Sequence, residues 1–346
     1  SGESRMNLLH FSRTTLGVGT LSAVLGCALP PTALALDSTR APAQATHDMS
    51  MQQWLERLHE ASRRRAYTGT FVVSDGVEIA ASKIWHVCDG TQQVERIETL
   101  TGTPRITLRR NDEVMTFAPD LRLVRKEKRE ALRLFPDLLK APGQHIEALY
   151  GARTQGMERV AGFDAVVVDF VPKDGLRYAY RVWSEKKTGL VVKLQTRDAI
   201  GQVVEQVAFT ELQLDAPVRA EVLARQMENT KDYQVIRPVL RKTTPEAEGW
   251  RLKTAVPGFQ SMSCQTRSEA ESRQAPVVQW VFSDGLASVS LFLETFDPQR
   301  HTKEGSGSAG ATHTLMRRLG DHWVTALGEV PVETLNRFVL ALERTR

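Results

Sequence analysis

The stretch YTGTFVVSDGVEIAASKIWHV, residues 67–87, decides the fold class, because its apolar side chains largely alternate with polar ones. A period of two is typical of β-strands that bury one face. Asp75 and Gly76 lie at the centre of the stretch, and an Asp-Gly pair between two alternating runs is a strong signal for a tight β-hairpin. The sequence therefore predicts two antiparallel strands joined by a turn at these residues.

Further strands and turns follow this hairpin and extend the prediction to residue 214. The alternation continues through residue 117, stops over residues 121–150, which are basic and contain two prolines, and resumes from Val160. The interruption predicts a loop and a short helix. Before the hairpin, residues 51–65 carry apolar side chains at helical spacing. A long antiparallel meander with few helices must curl to cover its apolar face.

The composition changes over residues 215–248, which hold three prolines, many charges and no clear strand period. This segment predicts a linker, with a short helix near its start, between domains at residues 49–214 and 249–346. The second domain has its strongest hairpin pattern around residues 277–296. Residues 304–311 (EGSGSAGA) have the composition of a mobile loop. Pro331 is placed to begin a final helix, and the predicted fold class is α+β.

The amino-terminal residues have the pattern of an export signal. Arg13 precedes an apolar run at residues 14–29, and Ala-Leu-Ala at residues 33–35 fits a cleavage site. We expect a signal peptide at residues 1–35, a flexible leader at residues 36–48, and a periplasmic location. A rival interpretation is a lipoprotein signal ending at Cys27, and the sequence leaves open whether that cysteine carries a lipid.

Charge and cysteines restrict the class of partner only loosely. The net charge of +4 permits an anionic partner without requiring one, and export does not favour nucleic acid. Cys88 and Cys264 lie far apart in the sequence. An oxidising compartment would allow them to form a disulfide, but we favour two unpaired thiols.

The sequence offers no convincing catalytic or metal-binding constellation. His86 and Cys88 lie two residues apart on a predicted strand and so share a face, but two ligands do not make a metal site. A cysteine nucleophile would also need an orienting base and an oxyanion site. The loop at residues 304–311 matches neither a nucleophile elbow nor a phosphate-binding loop. We therefore predict a protein that is not an enzyme and has no cofactor or metal.

Two groups of residues are candidates for binding. A curled sheet around a helix can enclose an apolar cavity that takes lipid acyl chains. Its candidate lining is aromatic: Tyr67, Phe71, Trp85, Phe117, Tyr178 and Tyr180. The basic run at residues 122–133 predicts either contacts with anionic groups or an ordinary solvated face. Its candidate contacts are Arg122, Arg125, Lys126, Lys128 and Arg129.

Several short motifs, in their order and spacing, resemble the RseB/MucB family. They begin with residues 67–72 (YTGTFV), 84–86 (IWH) and 104–105 (PR) and continue with 256–259 (VPGF), 282–286 (FSDGL) and 328–331 (GEVP). No single motif is diagnostic. The resemblance extends from about Gln53 to Phe338, which is nearly all of the chain after the predicted leader.

The resemblance implies both a fold and a function. The implied fold is an amino-terminal half-barrel around helices, similar to the lipoprotein carriers LolA and LolB, followed by a smaller α+β domain. The implied function is binding to the periplasmic domain of an RseA/MucA-type anti-sigma factor, shielding it from proteolysis until lipopolysaccharide or lipoprotein releases it. We expect Ser283, Asp284 and Gly285 to be among the partner contacts, and self-association is left open. The alternative is a LolA-like lipid or lipoprotein carrier, which would not need the second domain.

Overall fold

The computed structural model describes residues 49–128, 146–269 and 275–345. The predicted signal peptide and leader, the candidate Arg129 and most of the predicted loop at residues 121–150 lie outside these ranges. Residues 49–346 form one compact unit. The described part is mostly strands with a few helices, which confirms the α+β class.

Twelve strands form one large sheet in the order β12-β6-β5-β4-β3-β2-β1-β11-β10-β9-β8-β7. Neighbouring strands are antiparallel except for β12, which runs parallel to β6. The strands are β1 (Tyr67–Ser74), β2 (Ile79–Cys88), β3 (Gln93–Thr99), β4 (Ile106–Arg110), β5 (Glu113–Ala118), β6 (Leu123–Lys128), β7 (Tyr150–Val160), β8 (Phe163–Pro172), β9 (Ala179–Glu185), β10 (Val191–Arg197), β11 (Val203–Leu214) and β12 (Gln234–Ile236).

The hairpin between β1 and β2 forms as predicted. Gly76 has a φ of 87°, a left-handed conformation that glycine adopts without strain. The Asp75 carboxylate accepts hydrogen bonds from the backbone N–H groups of Val77 at 2.9 Å and Glu78 at 2.8 Å. The Asp-Gly pair thus supplies both the backbone freedom and the hydrogen-bond acceptor that the turn needs.

Helix α1 (Met51–Arg64) covers one face of the large sheet. Ser50 begins it with a capping box, in which the serine and Gln53 each bond the other's backbone N–H. Trp54 and Leu58 are buried in one apolar cluster with side chains of strands β8, β9 and β10. Because β7 also contacts β11, the sheet curls around this helix, as the alternating pattern predicted.

Helix α3 (Ala220–Glu228) covers the opposite face of the same sheet. Its Leu223 is buried in a cluster with Val87 of β2, whereas Ile84 of β2 belongs to the cluster that contains Ala61 of α1. Residues 84 and 87 point to opposite faces of a strand. The two helices therefore pack on the two sides of the sheet.

A second sheet has seven strands in the order β13-β15-β16-β17-β20-β19-β18. Helix α4 (Val332–Ala341) packs on it through Phe338, whose ring lies 5.5 Å from Phe259 and 4.8 Å from Phe282. A short helix, α2 (Ile146–Leu149), precedes β7, and β14 pairs with β21. The remaining strands are β13 (Pro238–Lys242), β14 (Trp250–Leu252), β15 (Gln260–Glu269), β16 (Val277–Ser283), β17 (Ser288–Thr295), β18 (Gly305–Ala309), β19 (Thr312–Leu319), β20 (His322–Gly328) and β21 (Leu342–Arg344).

Three segments differ from the sequence prediction. The predicted loop at residues 121–150 contains strand β6, and most of β7 was also missed, because strands were predicted to resume only at Val160. The predicted linker at residues 215–248 contains α3, as expected, but also β12 and β13, with only Arg237 between these two strands. The predicted mobile loop at residues 304–311 contains β18, which pairs with β19. In each case backbone pairing supplies structure that the side-chain pattern does not reveal.

Candidate functional site

The two sheets meet at a buried ion pair between Arg177 and Asp284. The Arg177 Nε donates a hydrogen bond to Asp284 Oδ2 at 2.7 Å, and both side chains are 0% exposed. The same guanidinium donates to the Asp174 carboxylate and, at 2.7 Å, to the backbone carbonyl oxygen of Pro257. Arg177 precedes β9 of the large sheet, whereas Asp284 and Pro257 belong to the second half of the chain. One buried cation therefore links both halves.

Tyr150 is a further hydrogen-bond donor to the Asp284 carboxylate. Its hydroxyl donates to Asp284 Oδ2 at 2.9 Å, while Oδ1 accepts from the backbone N–H groups of Leu286 at 2.8 Å and Ala287 at 2.6 Å. Burial, followed by the nearby Tyr180 and Asp284, raises the pKa of Tyr150 well above its usual range. The tyrosine therefore remains a neutral donor, and a buried carboxylate with several donors is well satisfied.

Gly258 allows the close approach on which this contact depends. Its φ is +78°, and a Cβ added there would lie 2.7 Å from the Leu149 side chain and would overlap the Arg177 guanidinium. The guanidinium carbon of Arg177 also lies 4.9 Å from the ring centre of Phe259. The VPGF motif at residues 256–259 thus has a physical role, since it admits and covers the arginine.

Two further hydrogen bonds join the halves beside the ion pair. The Thr334 hydroxyl of α4 donates to the carbonyl oxygen of Leu176 at 2.7 Å, and both groups are buried. The Tyr178 hydroxyl lies 3.1 Å from His313 Nδ1. Burial, followed by the charge of Asp198, raises the pKa of Tyr178 to about 12.

A partly buried carboxylate of β11 also reaches the second sheet. Glu205 Oε2 accepts a hydrogen bond from the Ala311 backbone N–H at 3.1 Å. Burial raises the pKa of Glu205 and outweighs the lowering by that bond, and Glu329 and Asp75 raise it further. Ionised Glu205 is therefore a cost to the folded state near neutral pH.

Replacing Glu205 with glutamine is expected to give a pH-dependent gain in stability relative to the wild type. The pKa of Glu205 is higher in the folded state than in the unfolded state, so the wild type loses stability as the pH rises from the unfolded pKa to the folded pKa. The glutamine variant has no carboxyl group at this position and does not lose stability in this way. The difference in free energy of unfolding should be more favourable to the variant at about pH 7 than at about pH 4. Urea unfolding at the two pH values measures it, and an equal difference at both would contradict the assignment.

A separate pair of contacts joins β6 to β15. Arg267 lies 3.2 Å from the buried carboxylate of Glu127, and Arg125 lies 3.7 Å from Glu269. These contacts lie near the β12–β6 side of the large sheet, away from β8 and β9. The halves are therefore held at more than one place.

The six predicted lipid-cavity residues do not share one surface. Tyr67 pairs with His86 in the register, whereas Trp85 pairs with Thr68, so Tyr67 and Trp85 point to opposite faces. Tyr178 and Tyr180 pack in the cluster of α1, and Tyr67 and Phe71 in the adjoining one. Trp85 and Phe117 lie on the α3 side. Four of the six residues therefore face α1 and two face α3, and a lipid-binding role for them stays a prediction.

An open cavity of about 740 Å³ runs along the exposed side of α1. Most of its lining residues are polar or charged, with both signs of charge present, and none of the six aromatic candidates is among them. It is lined in part by Met49, Gln53, Arg57, His59, Ala61 and Thr188.

The basic candidates are largely paired with carboxylates of this chain. Besides Arg125, Lys126 lies 2.9 Å from Glu113 and Lys128 lies 3.9 Å from Asp112. Arg122 occupies the turn before β6 with a φ of 49°. These pairings favour the solvated mixed-charge interpretation, in which such pairs contribute little to stability.

Two of the three predicted partner-binding residues are buried, whereas Gly285 is partly exposed. Ser283 and Asp284 are buried, and the Ser283 hydroxyl donates to the carbonyl oxygen of Ala287 at 2.9 Å. The sequence did not reveal that Arg177 and Tyr150 bind the Asp284 carboxylate. A buried carboxylate in an Asp-Gly turn needs hydrogen-bond donors, and Arg177, which follows the Asp-Gly pair at residues 174–175, was one candidate. In this structure the loop's contacts are internal.

The remaining sequence candidates serve structural roles. His86 is fully buried, with Nδ1 2.8 Å from the carbonyl oxygen of Arg65 and Nε2 2.9 Å from the Gln93 amide nitrogen. Cys88 and Cys264 are free thiols, and burial raises the pKa of Cys264 to about 11. Among the described residues, no group of three His, Cys, Asp or Glu side chains could hold a metal ion. No helix in those ranges is long and apolar enough to cross a membrane.

Comparison with known proteins gives two family matches. The MucB/RseB N-terminal domain matches residues 50–227, and the MucB/RseB C-terminal domain matches residues 244–343. The sigma factor AlgU regulatory protein MucB of Pseudomonas aeruginosa is 29% identical over 303 residues, 86% of this chain and 92% of that protein. The sigma-E factor regulatory protein RseB of Haemophilus influenzae is 22% identical over 311 residues, 89% of this chain and 96% of that protein.

Solved structures extend the likeness to the fold. The Pseudomonas aeruginosa MucA/MucB complex matches with a TM-score of 0.64 and 26% identity, over 85% of this chain and 99% of that chain. A crystal structure of MucB in complex with MucA(peri) matches with a TM-score of 0.62 and 25% identity, over 85% of this chain and 98% of that chain. Both matches cover most of the chain.

Proposed function

The chain belongs to the MucB/RseB family, and from this premise we propose that it binds the periplasmic part of a membrane anti-sigma factor and so regulates a stress sigma factor. One observation carries the proposal: the chain is similar in fold to a MucB that was solved in complex with MucA(peri), over 85% of its length. The names of the curated relatives, which are sigma-factor regulatory proteins, support the same function.

The contact between the sheets suggests how the partner is held. A buried ion pair is weak evidence for stability, because desolvation offsets much of the attraction, but its geometry can favour one arrangement. Arg177 and Asp284 have this geometry at the point where the halves meet. We propose that the partner segment contacts both halves and that this tie maintains the surface it needs.

Shielding of the partner from proteolysis and its release by lipid form the finer part of the proposal. Lipid can act as a signal only if it binds the partner-free state better than the complex. A coupling of about 1–3 kcal/mol, or about 5–150-fold in affinity, would suffice. A change in how the two sheets meet is the simplest structural element that both ligands could influence.

Calorimetric titration of the protein with the periplasmic segment of its own anti-sigma factor tests the function. We expect saturable binding, and we expect lipopolysaccharide to weaken it by about 5–150-fold. Linkage requires the segment to weaken lipopolysaccharide binding by the same factor. Absence of binding at about 0.1 mM segment would contradict the anti-sigma proposal. Simultaneous binding without loss of either affinity would contradict only lipid release.

The LolA-like carrier alternative predicts a different result in the same system. A carrier should form a soluble complex with an acylated lipoprotein but not with its deacylated form, and it should not bind the anti-sigma segment. Size-exclusion chromatography with the two lipoprotein forms separates these outcomes.

A further inference from the structure

One end of the large sheet exposes apolar side chains on its turns. Val77, in the turn between β1 and β2, is 90% exposed, and Ile200, in the turn between β10 and β11, is 79% exposed. Leu100 lies between β3 and β4, while Ile79 and Val203 begin β2 and β11, and all three are exposed. We refer to these five residues as the apolar rim.

The strand order places the rim residues side by side. Strands β3, β2, β1, β11 and β10 are consecutive neighbours, so the three connections lie at the same end of the sheet. The backbone N–H of Leu100 donates to the carbonyl oxygen of Ala81 at 2.8 Å, which ties its loop to β2. At a spacing of about 4.8 Å between strands, the rim spans about 20 Å.

The opposite end of the same sheet differs. Its described turns, at residues 89–92, 111–112, 161–162 and 186–190, expose no large apolar side chain. Singly scattered apolar residues are normal on a protein surface. Here, six of the eleven large apolar residues exposed within the described ranges lie at one end, since Leu121 joins the rim residues there. The concentration at one end needs an explanation.

The two most exposed tips are built alike. The Asp75 carboxylate accepts from the Val77 N–H, and the Asp198 carboxylate accepts from the Ile200 N–H at 3.0 Å and from the Gln202 N–H at 2.8 Å. Each protruding apolar residue therefore has its backbone donor satisfied within its own turn. Such a tip can move from water into an apolar medium without exposing an unpaired N–H group. An unpaired N–H group would be costly in that medium.

We propose that the apolar rim inserts into the boundary between headgroups and acyl chains of a phospholipid surface. The rim residues stand on three separate turns rather than around one groove, and a fluid surface can fill the space around each turn. A protein partner would need a matching pocket for each of them. The carboxylates of Asp75, Glu78 and Asp198 beside the tips give no preference for an anionic surface, so apolar burial drives the association.

Co-sedimentation with vesicles of phosphatidylethanolamine and phosphatidylglycerol tests this proposal on protein purified without detergent. The double variant Val77→Ser/Ile200→Ser is expected to lower the partition coefficient by about 10-fold per side chain. The matched control is Met157→Ser/Leu340→Ser, which removes exposed apolar residues that lie elsewhere, and it should partition like the wild type. All four side chains are exposed, so unfolding curves should not change.

Three outcomes would overturn the proposal. The wild type could fail to sediment with the vesicles, or the rim variant could sediment as well as the wild type. Alternatively, the rim variant could lose affinity for the anti-sigma segment while its vesicle partition stays unchanged, which would make the rim a protein interface. The vesicle measurement contains no anti-sigma segment, so its result is independent of the proposed function.

Discussion

Replacing Asp284 with alanine is expected to lower the free energy of unfolding by about 3–5 kcal/mol, because it leaves the buried guanidinium of Arg177 with the partly exposed carboxylate of Asp174 as its remaining charged partner. Both side chains are fully buried, so water does not screen the loss. The Tyr150 hydroxyl and the N–H groups of Leu286 and Ala287 lose their acceptor at the same time. Urea-induced unfolding, followed by tryptophan fluorescence, measures the change.

The matched control is Asp112→Ala, which removes an exposed carboxylate 3.9 Å from Lys128 and should change stability by less than about 0.5 kcal/mol. The double variant Arg177→Met/Asp284→Leu removes both charges. It should be more stable than Asp284→Ala, since no charge remains buried alone. If Asp284→Ala unfolds like the control, the ion pair does not hold the two halves together.

Replacing Tyr180 with aspartate is expected to prevent stable folding of the large sheet. Tyr180 is 8% exposed, lies in the apolar cluster beneath α1, and has its ring centre 6.4 Å from that of Tyr150. The substitution removes a buried aromatic ring, which costs about 3–5 kcal/mol. It also buries a carboxyl group among apolar side chains, a further cost of several kcal/mol. The sum is comparable to the whole stability of a typical domain, about 5–15 kcal/mol.

The control Tyr180→Phe keeps the ring and should cost no more than about 1.5 kcal/mol. Far-ultraviolet circular dichroism and the yield of folded protein measure both variants. A folded Tyr180→Asp protein that binds fatty acids less tightly than the wild type would instead place Tyr180 on the wall of a lipid cavity. Stable folding with unchanged fatty-acid binding would remove it from both roles.

The sequence predicted the hairpin at Asp75 and helix α1 because each has a periodic apolar face that packs against a core. It missed most of β7 for the opposite reason. Seven consecutive residues from Arg153 are exposed, since β7 is an edge strand held by its backbone pairing with β8. Strand β18 was missed in the same way, because its Gly and Ser residues carry no apolar pattern.

The candidate site was predictable only in part. The Asp-Gly pair at residues 284–285 was recognised as a turn, and it is one. That the carboxylate of Asp284 meets Arg177 depends on how two sheets pack, and these residues lie 107 positions apart in the chain. An alternating pattern shows which residues share one face of a strand, but it does not show which face of the sheet packs against α1. Trp85 and Phe117 were grouped with Tyr180 for that reason.

The junction between β12 and β13 connects the two sheets as a short hinge rather than as a flexible linker. Only Arg237 separates the last strand of one sheet from the first strand of the other. Pro238 follows it, and a residue before proline is largely confined to extended backbone. A long flexible segment would let the sheets drift apart, whereas this junction allows them to pivot with little translation. When the two halves are pulled apart in a single-molecule force experiment, the contact at the Arg177–Asp284 ion pair should therefore break abruptly, with almost no extension of the chain beforehand.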